Sequence, residues 1–138
     1  MRIVADTNIV ISGLLWHGNP RRILDAARDG IIELYTSPAL LDELAEVLGR
    51  DKFAPRLEAA DASVQQLTED YAALATVIDP IAIEPMIIRD PDDDAVLACA
   101  ISAECEYIVS GDDDLLNLKR HGGINILTVI DFLSELHL

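Results

Sequence analysis

The feature that most constrains this chain is an alternation of short apolar runs with helical segments from one end to the other. Runs rich in Ile, Val and Leu predict strands at 2–5, 31–36, 76–79, 107–110 and 124–129. Each run is apolar on both faces, which indicates a parallel sheet covered by helices on both sides. Because the sequence has 138 residues and no internal repeat, we expect one three-layer α/β domain spanning 1–138.

Helices are predicted between the strands by apolar periodicity and by their ends. Ser37 and Asn19 each precede a proline, which is typical of a helix N-terminus, and Gly30 and Gly49 are predicted stops. Asp90 before Pro91 predicts another N-terminus, after an apolar, proline-interrupted loop at 81–89. The predicted helices cover about 8–15, 20–29, 38–48, 57–75, 91–103, 115–118 and 130–136.

Composition argues for a cytoplasmic protein of acidic character. No apolar run approaches the roughly 20 residues of a membrane span, the N-terminus lacks a signal-peptide pattern, and the two cysteines lack metal-site spacing. The formal net charge of −15 disfavours nucleic-acid binding, which depends on neutralising phosphates. However, seven of the 25 acids fall within 90–94 and 112–114, where bound divalent cations would invert the local potential.

Two acids follow predicted strands directly. Asp6 comes after the first strand and Asp112 after the fourth. In a doubly wound order such as 3-2-1-4-5 these strands are neighbours at the switch point, where ligands bind. The alternative is that Asp6 only caps a helix and Asp112 only starts a turn.

Helical phase separates the remaining acids. Glu43 lies at the edge of the apolar arc of its helix, whereas Asp42 and Glu46 turn away from it. In the helix that begins at 91, Leu97, Ala98 and Ile101 stand three, four and seven positions after Asp94. This spacing favours Asp94 for function and leaves Asp90, Asp92 and Asp93 to cap the helix and interact with its dipole.

Several carboxylates in one pocket would raise one another's pKa unless cations share the site. Ligands that are all oxygen atoms favour Mg²⁺ or Mn²⁺ over Zn²⁺. Such sites commonly catalyse phosphoryl transfer. The pattern therefore predicts a metal-dependent phosphohydrolase.

Four motifs in order resemble the PIN-domain family, in particular the toxin components of prokaryotic toxin–antitoxin pairs. The motifs are Asp6-Thr7-Asn8, Ser37-Pro38 with Glu43, Asp94-Ala95-Val96-Leu97-Ala98, and Ser110-Gly111-Asp112-Asp113-Asp114-Leu115-Leu116. The resemblance covers essentially the whole chain, including the last predicted strand and helix.

The resemblance implies a magnesium-dependent ribonuclease with a five-stranded parallel sheet in the order 3-2-1-4-5. Position by position, Asp6, Glu43, Asp94 and Asp112 match the family's acidic quartet, and the polar residues Thr7, Asn8 and Ser110 match its supporting positions. Asp114 competes with Asp112, and Asp93 with Asp94. The resemblance also implies a homodimer and a partner antitoxin.

The sequence thus predicts hydrolysis of RNA with Mg²⁺ or Mn²⁺, giving a 5′-phosphate and a 3′-hydroxyl. An acidic pocket in so acidic a chain also favours a partner that inserts an Arg side chain. Two alternatives stay open. One is a non-catalytic acidic binding module of PIN fold; the other is a different Mg²⁺-dependent α/β phosphohydrolase, although Asp6-Thr7-Asn8 lacks the D-x-D of the dehalogenase type.

Overall fold

The computed structural model describes residues 1–81 and 91–137, and within them the strands form one six-stranded sheet. The strands are β1 (Arg2–Ala5), β2 (Glu33–Thr36), β3 (Thr76–Val77), β4 (Tyr107–Val109), β5 (Arg120–His121) and β6 (Ile124–Leu127). Their order is β3-β2-β1-β4-β6-β5, and every pair is parallel except β5–β6. The predicted parallel order is confirmed, with β6 as the fifth strand of the prediction.

The sixth strand, β5, was not predicted. It pairs antiparallel with β6 across a two-residue turn at Gly122-Gly123, whose φ angles are 56° and 84°. Positive φ at both central positions suits a tight hairpin turn and glycine tolerates it. Because the pair Arg120–His121 is polar, its sequence carries no strand pattern.

Eight helices lie in the described residues. They are α1 (Thr7–Leu15), α2 (Asn19–Arg28), α3 (Pro38–Leu48), α4 (Ala54–Ala59), α5 (Val64–Leu74), α6 (Pro91–Ser102), α7 (Asp113–Leu118) and α8 (Val129–Glu135). The single helix predicted over 57–75 is wrong, since two helices are separated by a turn and Asp61 there has a φ of 51°. A 3-10 turn at Asp51–Phe53 also replaces part of the predicted linker.

Helix N-termini follow local chemistry. Ser37 accepts a hydrogen bond from the Leu40 amide at 3.3 Å and caps α3, as predicted. The cap of α2 is Gly18 rather than Asn19, which is already helical. The predicted Asp90 cap and residues 82–89 of the predicted loop lie outside the described residues.

Helices cover both faces of the sheet. Ile3 and Ala5 of β1 pack into a cluster with α1, α2, α3, α5 and α8, whereas Val4 packs with Leu97 of α6 and Leu115 of α7 on the other face. This alternation is the period-two geometry of a strand buried on both sides. The layering leaves the carboxyl ends of β1 and β4 open at the sheet edge.

Two further expectations concern the cysteines and the membrane. Cys99 and Cys105 are both free and buried, and burial raises the pKa of each thiol to about 12, so neither is reactive at neutral pH. Among the residues that the structure describes, no helix is both long and apolar enough to cross a bilayer.

Candidate metal centre

The site begins with the register of two parallel strands. Ala5 of β1 pairs with Val109 of β4, and the Asp6 amide donates to the Val109 carbonyl at 3.0 Å. The next residue of each strand, Asp6 and Ser110, therefore leaves the sheet at the same point. Both are buried, with 7% and 0% of their surface exposed.

The Asp6 carboxylate is held from two sides. One oxygen accepts from the Ile9 amide at 3.1 Å and caps α1, and the other accepts a hydrogen bond from the Ser110 hydroxyl. Burial raises the pKa of Asp6 above its ordinary value. Hydrogen bonds from Ser110, Ile9 and Gly111 act in the opposite direction, and the charge of Asp112 adds to the increase. Asp6 is thus a carboxylate whose charge is poorly solvated.

Ser110 links Asp6 to Asp112. Its hydroxyl oxygen accepts from the Asp112 amide at 2.9 Å while its proton is donated to Asp6. Asp112 in turn caps α7, with one oxygen accepting from the amides of Asp114 at 2.8 Å and Leu115 at 3.2 Å. Capping and site formation are therefore compatible, because each carboxylate also faces the pocket.

These acids line a pocket of about 50 Å³ at the carboxyl ends of β1 and β4. A volume of this size holds a cation with a few waters. Its walls are polar except for one valine, and they come from α1, α3, α6 and the start of α7. The lining residues are Asp6, Thr7, Asn8, Glu43, Asp92, Asp93, Val96 and Asp112.

Glu43 reaches the pocket from α3. It is half-buried, whereas Asp42 and Glu46 are exposed, so the predicted helical phase of α3 is confirmed. Glu46 forms a surface ion pair with Arg50 at 3.0 Å, on the side of the helix away from the pocket. Five of the predicted site residues thus meet in one cavity: Asp6, Thr7, Asn8, Glu43 and Asp112.

The predicted phase of α6 requires a correction. Asp93 is buried, with 6% exposure, and lines the pocket; Asp94 is half-buried and is not among its lining residues. The buried side of α6 runs through Val96, Leu97 and Ala100, three, four and seven residues after Asp93. The helical phase predicted from Asp94 is wrong because two of the three apolar residues on which it rested, Ala98 and Ile101, are only half-buried. The structure thus places the alternative residue, Asp93, at the pocket.

One group of acids has the spacing of a cation site. Carboxylate oxygens of Asp93, Asp112 and Asp114 lie within 4.8 Å of one another. Oxygen donors at this separation fit a hard divalent cation, because opposite ligands of Mg²⁺ stand about 4 Å apart when each bond is about 2 Å. The two alternatives at the fourth position, Asp112 and Asp114, therefore lie close enough together for one cation to contact both.

Sequence reasoning missed three residues near this pocket. The sequence predicts only an interaction with the helix dipole for Asp92 and no site role for Val96, yet both line the cavity. Tyr71 of α5 is the third: it is 3% exposed, and burial raises the pKa of its hydroxyl, with smaller increases from Cys99 and Asp6. Its phase on α5 predicts burial, but only the tertiary packing brings it towards Asp6.

A doubly wound α/β domain with a carboxylate pocket at its switch point has the ligand type and the location that suit a divalent cation. The comparison with protein families agrees: the family model described as PIN domain matches residues 2–114. The chain therefore belongs to the PIN domain family, and the resemblance seen in its motifs is confirmed.

Two similar proteins were found, one by sequence and one by structure. It is 30% identical over 124 residues to the uncharacterized protein MJ1680 of Methanocaldococcus jannaschii, covering 86% of this chain and 76% of that protein. It also resembles a chain in the crystal structure of VapBC2 from Rickettsia felis bound to a DNA fragment from their promoter. That match has a TM-score of 0.59 and 16% identity, and it covers 91% of this chain and 97% of that chain. At this identity the likeness shows the fold.

Proposed function

We propose that residues 1–138 form one nuclease domain that hydrolyses RNA phosphodiester bonds with Mg²⁺ or Mn²⁺. The observation that carries the proposal is that carboxylate oxygens of Asp93, Asp112 and Asp114 lie within 4.8 Å of one another. Two of these acids, Asp93 and Asp112, line the pocket. Membership of the PIN family supports it, since these domains are generally nucleases. The expected products carry a 5′-phosphate and a 3′-hydroxyl.

Each acid has a distinct part in this proposal. Asp93, Asp112 and Asp114 would hold the cation, and Asp93 takes the part that the sequence assigned to Asp94. Asp6 lies at the end of β1 beside them, and the hydrogen bond from the Ser110 hydroxyl favours its charged form against the effect of burial. When bound, the cation would supply an activated water and stabilise charge on the phosphate oxygens.

The other side chains orient the substrate and the water. Glu43 stands on the wall formed by α3, where its carboxylate can accept a proton from the attacking water. Thr7 and Asn8, in the first turn of α1, offer polar groups beside Asp6. The pocket is small and lined mainly by acids, so we expect the scissile phosphate to enter it with the cation and the bases of the substrate to lie along the surface beside it.

We further propose that the chain is the toxin of a toxin–antitoxin pair. The structural neighbour comes from a two-component complex, VapBC2, and the sequence motifs resemble toxin components. A partner antitoxin would place an Arg side chain in the acidic pocket, where a guanidinium can bind two carboxylates and exclude the cation. Exposed Ile31 and Ile130, at 47% and 65%, offer apolar surface for the antitoxin or for a second copy of the chain.

A non-catalytic binding module is the second candidate, and the net charge of −15 favours it. Cleavage of end-labelled single-stranded RNA in Mg²⁺, Mn²⁺ or EDTA separates the two. The nuclease requires product in both metals, loss of product in EDTA, and inactive Asp93→Asn and Glu43→Gln variants. Their matched controls, Asp94→Asn and Glu46→Gln, should retain activity. Intact RNA under every condition, together with tight binding of an Arg-containing peptide, would favour the binding module.

A further inference from the structure

A cluster of aromatic rings and cations lies at the opposite end of α1 from the carboxylate pocket. Trp16 follows α1 and is 40% exposed; its ring meets that of Phe53 edge to face, with centroids 6.3 Å apart. The Arg56 guanidinium stands over the Trp16 ring at 5.1 Å, and the Lys52 ammonium stands over Phe53 at 5.0 Å. We call these four residues the cation–aromatic patch.

The patch is held together by one backbone contact. The Arg56 Nε donates to the carbonyl of Leu15 at 3.0 Å, which fixes α4 against the last turn of α1. Neither α4 nor the 3-10 turn before it contains a fully buried residue. Phe53 and Leu57 pack half-buried against the core, and most other side chains of this segment are exposed at the surface beside Trp16.

The charge around the patch is opposite to that of the protein. The segments 16–22 and 50–56 carry five of the ten Lys and Arg residues with a single acid, in a chain of net charge −15. Arg50 is neutralised by Glu46. Within residues 1–81 and 91–137, Arg21, Arg22, Lys52 and Arg56 form no ion pair, so their charge is available to a ligand.

We propose that the cation–aromatic patch binds a single-stranded segment of RNA outside the cleavage site, with a base against Trp16 and phosphates near Lys52. This inference rests on the proposed function and names the surface that holds the substrate. Single strands are bound where cations follow the backbone and exposed rings stack on bases. The charge favours a polyanion over an acidic protein segment, since an electrostatic surface of this kind recognises phosphates.

The distance to the pocket suits a substrate that spans both. About ten residues separate Asp6 from Trp16 along α1, which corresponds to roughly 15 Å at 1.5 Å per residue. A few nucleotides of extended strand cover that distance. The patch would also explain how so acidic a protein retains RNA, because binding is confined to the basic part of its surface.

Trp16 is the only tryptophan of the chain, so its fluorescence reports directly on the patch. We would titrate oligouridylate into the protein in EDTA, where no cleavage occurs. The expected result is saturable quenching of the emission. Lys52→Gln removes one phosphate contact and should lower the slope of log K against log salt concentration by about 0.7 in magnitude. With 1 M salt as the reference, this slope corresponds to about fivefold weaker binding at 0.1 M salt. Arg120→Gln, which removes an exposed cation on β5, should change neither quantity.

A second measurement uses fluorescently labelled RNA with Trp16→Ala, whose fold is checked by circular dichroism. Affinity should fall by at least about fivefold. Cleavage by the wild-type protein in Mn²⁺ is measured in parallel. Suppose that the wild-type protein cleaves RNA but RNA does not change the Trp16 emission, or that wild type and Lys52→Gln bind RNA with equal affinity. Either result would show that the patch does not bind RNA, while the proposed function would still hold. If the protein neither cleaves nor binds RNA, the proposed function fails as well. Emission that responds only to protein concentration or to an antitoxin peptide would instead assign the surface to a protein contact and overturn the inference.

Discussion

Ser110 donates its hydroxyl proton to the Asp6 carboxylate across two neighbouring parallel strands, and its oxygen accepts from the Asp112 amide. One fully buried hydroxyl thus connects the acids at the ends of β1 and β4. The register of Ala5 with Val109 produces this contact, so the sheet itself sets the geometry of the site. The hydrogen bond also limits the extent to which burial raises the pKa of Asp6.

Ser110→Ala should destabilise the protein without changing its fold. The substitution removes a hydrogen bond to a buried carboxylate and leaves the Asp112 amide without its acceptor. A loss of about 2 kcal/mol in the free energy of unfolding is expected at neutral pH. The matched control Ser134→Ala, at an exposed position of α8, should change it by less than about 0.5 kcal/mol. Equal effects in denaturant titrations of the two variants would contradict the role given to Ser110.

Asp6→Asn should stabilise the metal-free protein more at neutral pH than in acid. Because burial raises the pKa of Asp6 above 3.8, the folded state holds the proton more tightly than the unfolded state. The free energy of unfolding of the wild type therefore falls as pH rises from 3.8 through the folded pKa. The Asn variant lacks this decrease. Denaturant titrations across that range should show the stability difference, variant minus wild type, increasing with pH; a difference independent of pH would show that the carboxylate is adequately solvated.

Divalent cations should stabilise the folded protein. If the pocket binds Mg²⁺ with a Kd of about 1 mM, then about 10 mM should add roughly 1.4 kcal/mol to the free energy of unfolding. Mn²⁺ should act at lower concentration, in keeping with its place above Mg²⁺ in affinity for such ligands. Thermal melts of the wild type and of Asp112→Asn with and without each metal test this. If neither metal changes the melting temperature of the wild type, the pocket is not a metal centre.

Tyr71→Phe should be neutral or stabilising by up to about 1 kcal/mol. The Tyr71 hydroxyl is buried and has no hydrogen-bond partner among the described residues, so removing it relieves a desolvation cost. The ring itself, which fills the core between α1, α3 and α5, is retained. Tyr71→Leu serves as the control and should cost stability through lost packing. A loss above about 1 kcal/mol for Tyr71→Phe would mean that an internal water satisfies the hydroxyl.

Sequence alone was sufficient where one local rule fixes the position of a side chain. Asp6 and Asp112 follow apolar strands, and the carboxyl ends of parallel strands meet at one edge, so their approach could be predicted. Glu43 was placed by the phase of α3, whose apolar arc is clear.

The sequence did not predict the inward face of a helix correctly where the helix is covered on more than one side. In α6, Cys99 and Ala100 are buried in addition to Val96 and Leu97, so small apolar residues surround much of the helix and its inward face is poorly marked. Asp93 and Asp94 differ by 100° on that helix, and only tertiary packing decides between them. The same holds for two other features. Tyr71 is positioned by residues distant in sequence, and β5 forms through the backbone pairing of two polar residues.

The central claim is that the carboxylate pocket carries out metal-dependent cleavage of RNA. The most direct measurement compares cleavage of labelled single-stranded RNA in Mn²⁺ by the wild type, Asp112→Asn and Asp113→Asn. The two variants remove the same charge from adjacent residues, but Asp112 lines the pocket and Asp113 is exposed. We expect the first variant to lose at least about a hundredfold in rate, equivalent to about 2.7 kcal/mol of transition-state stabilisation, and the second to match the wild type. Equal rates for both variants, or product that persists in EDTA, would contradict the account.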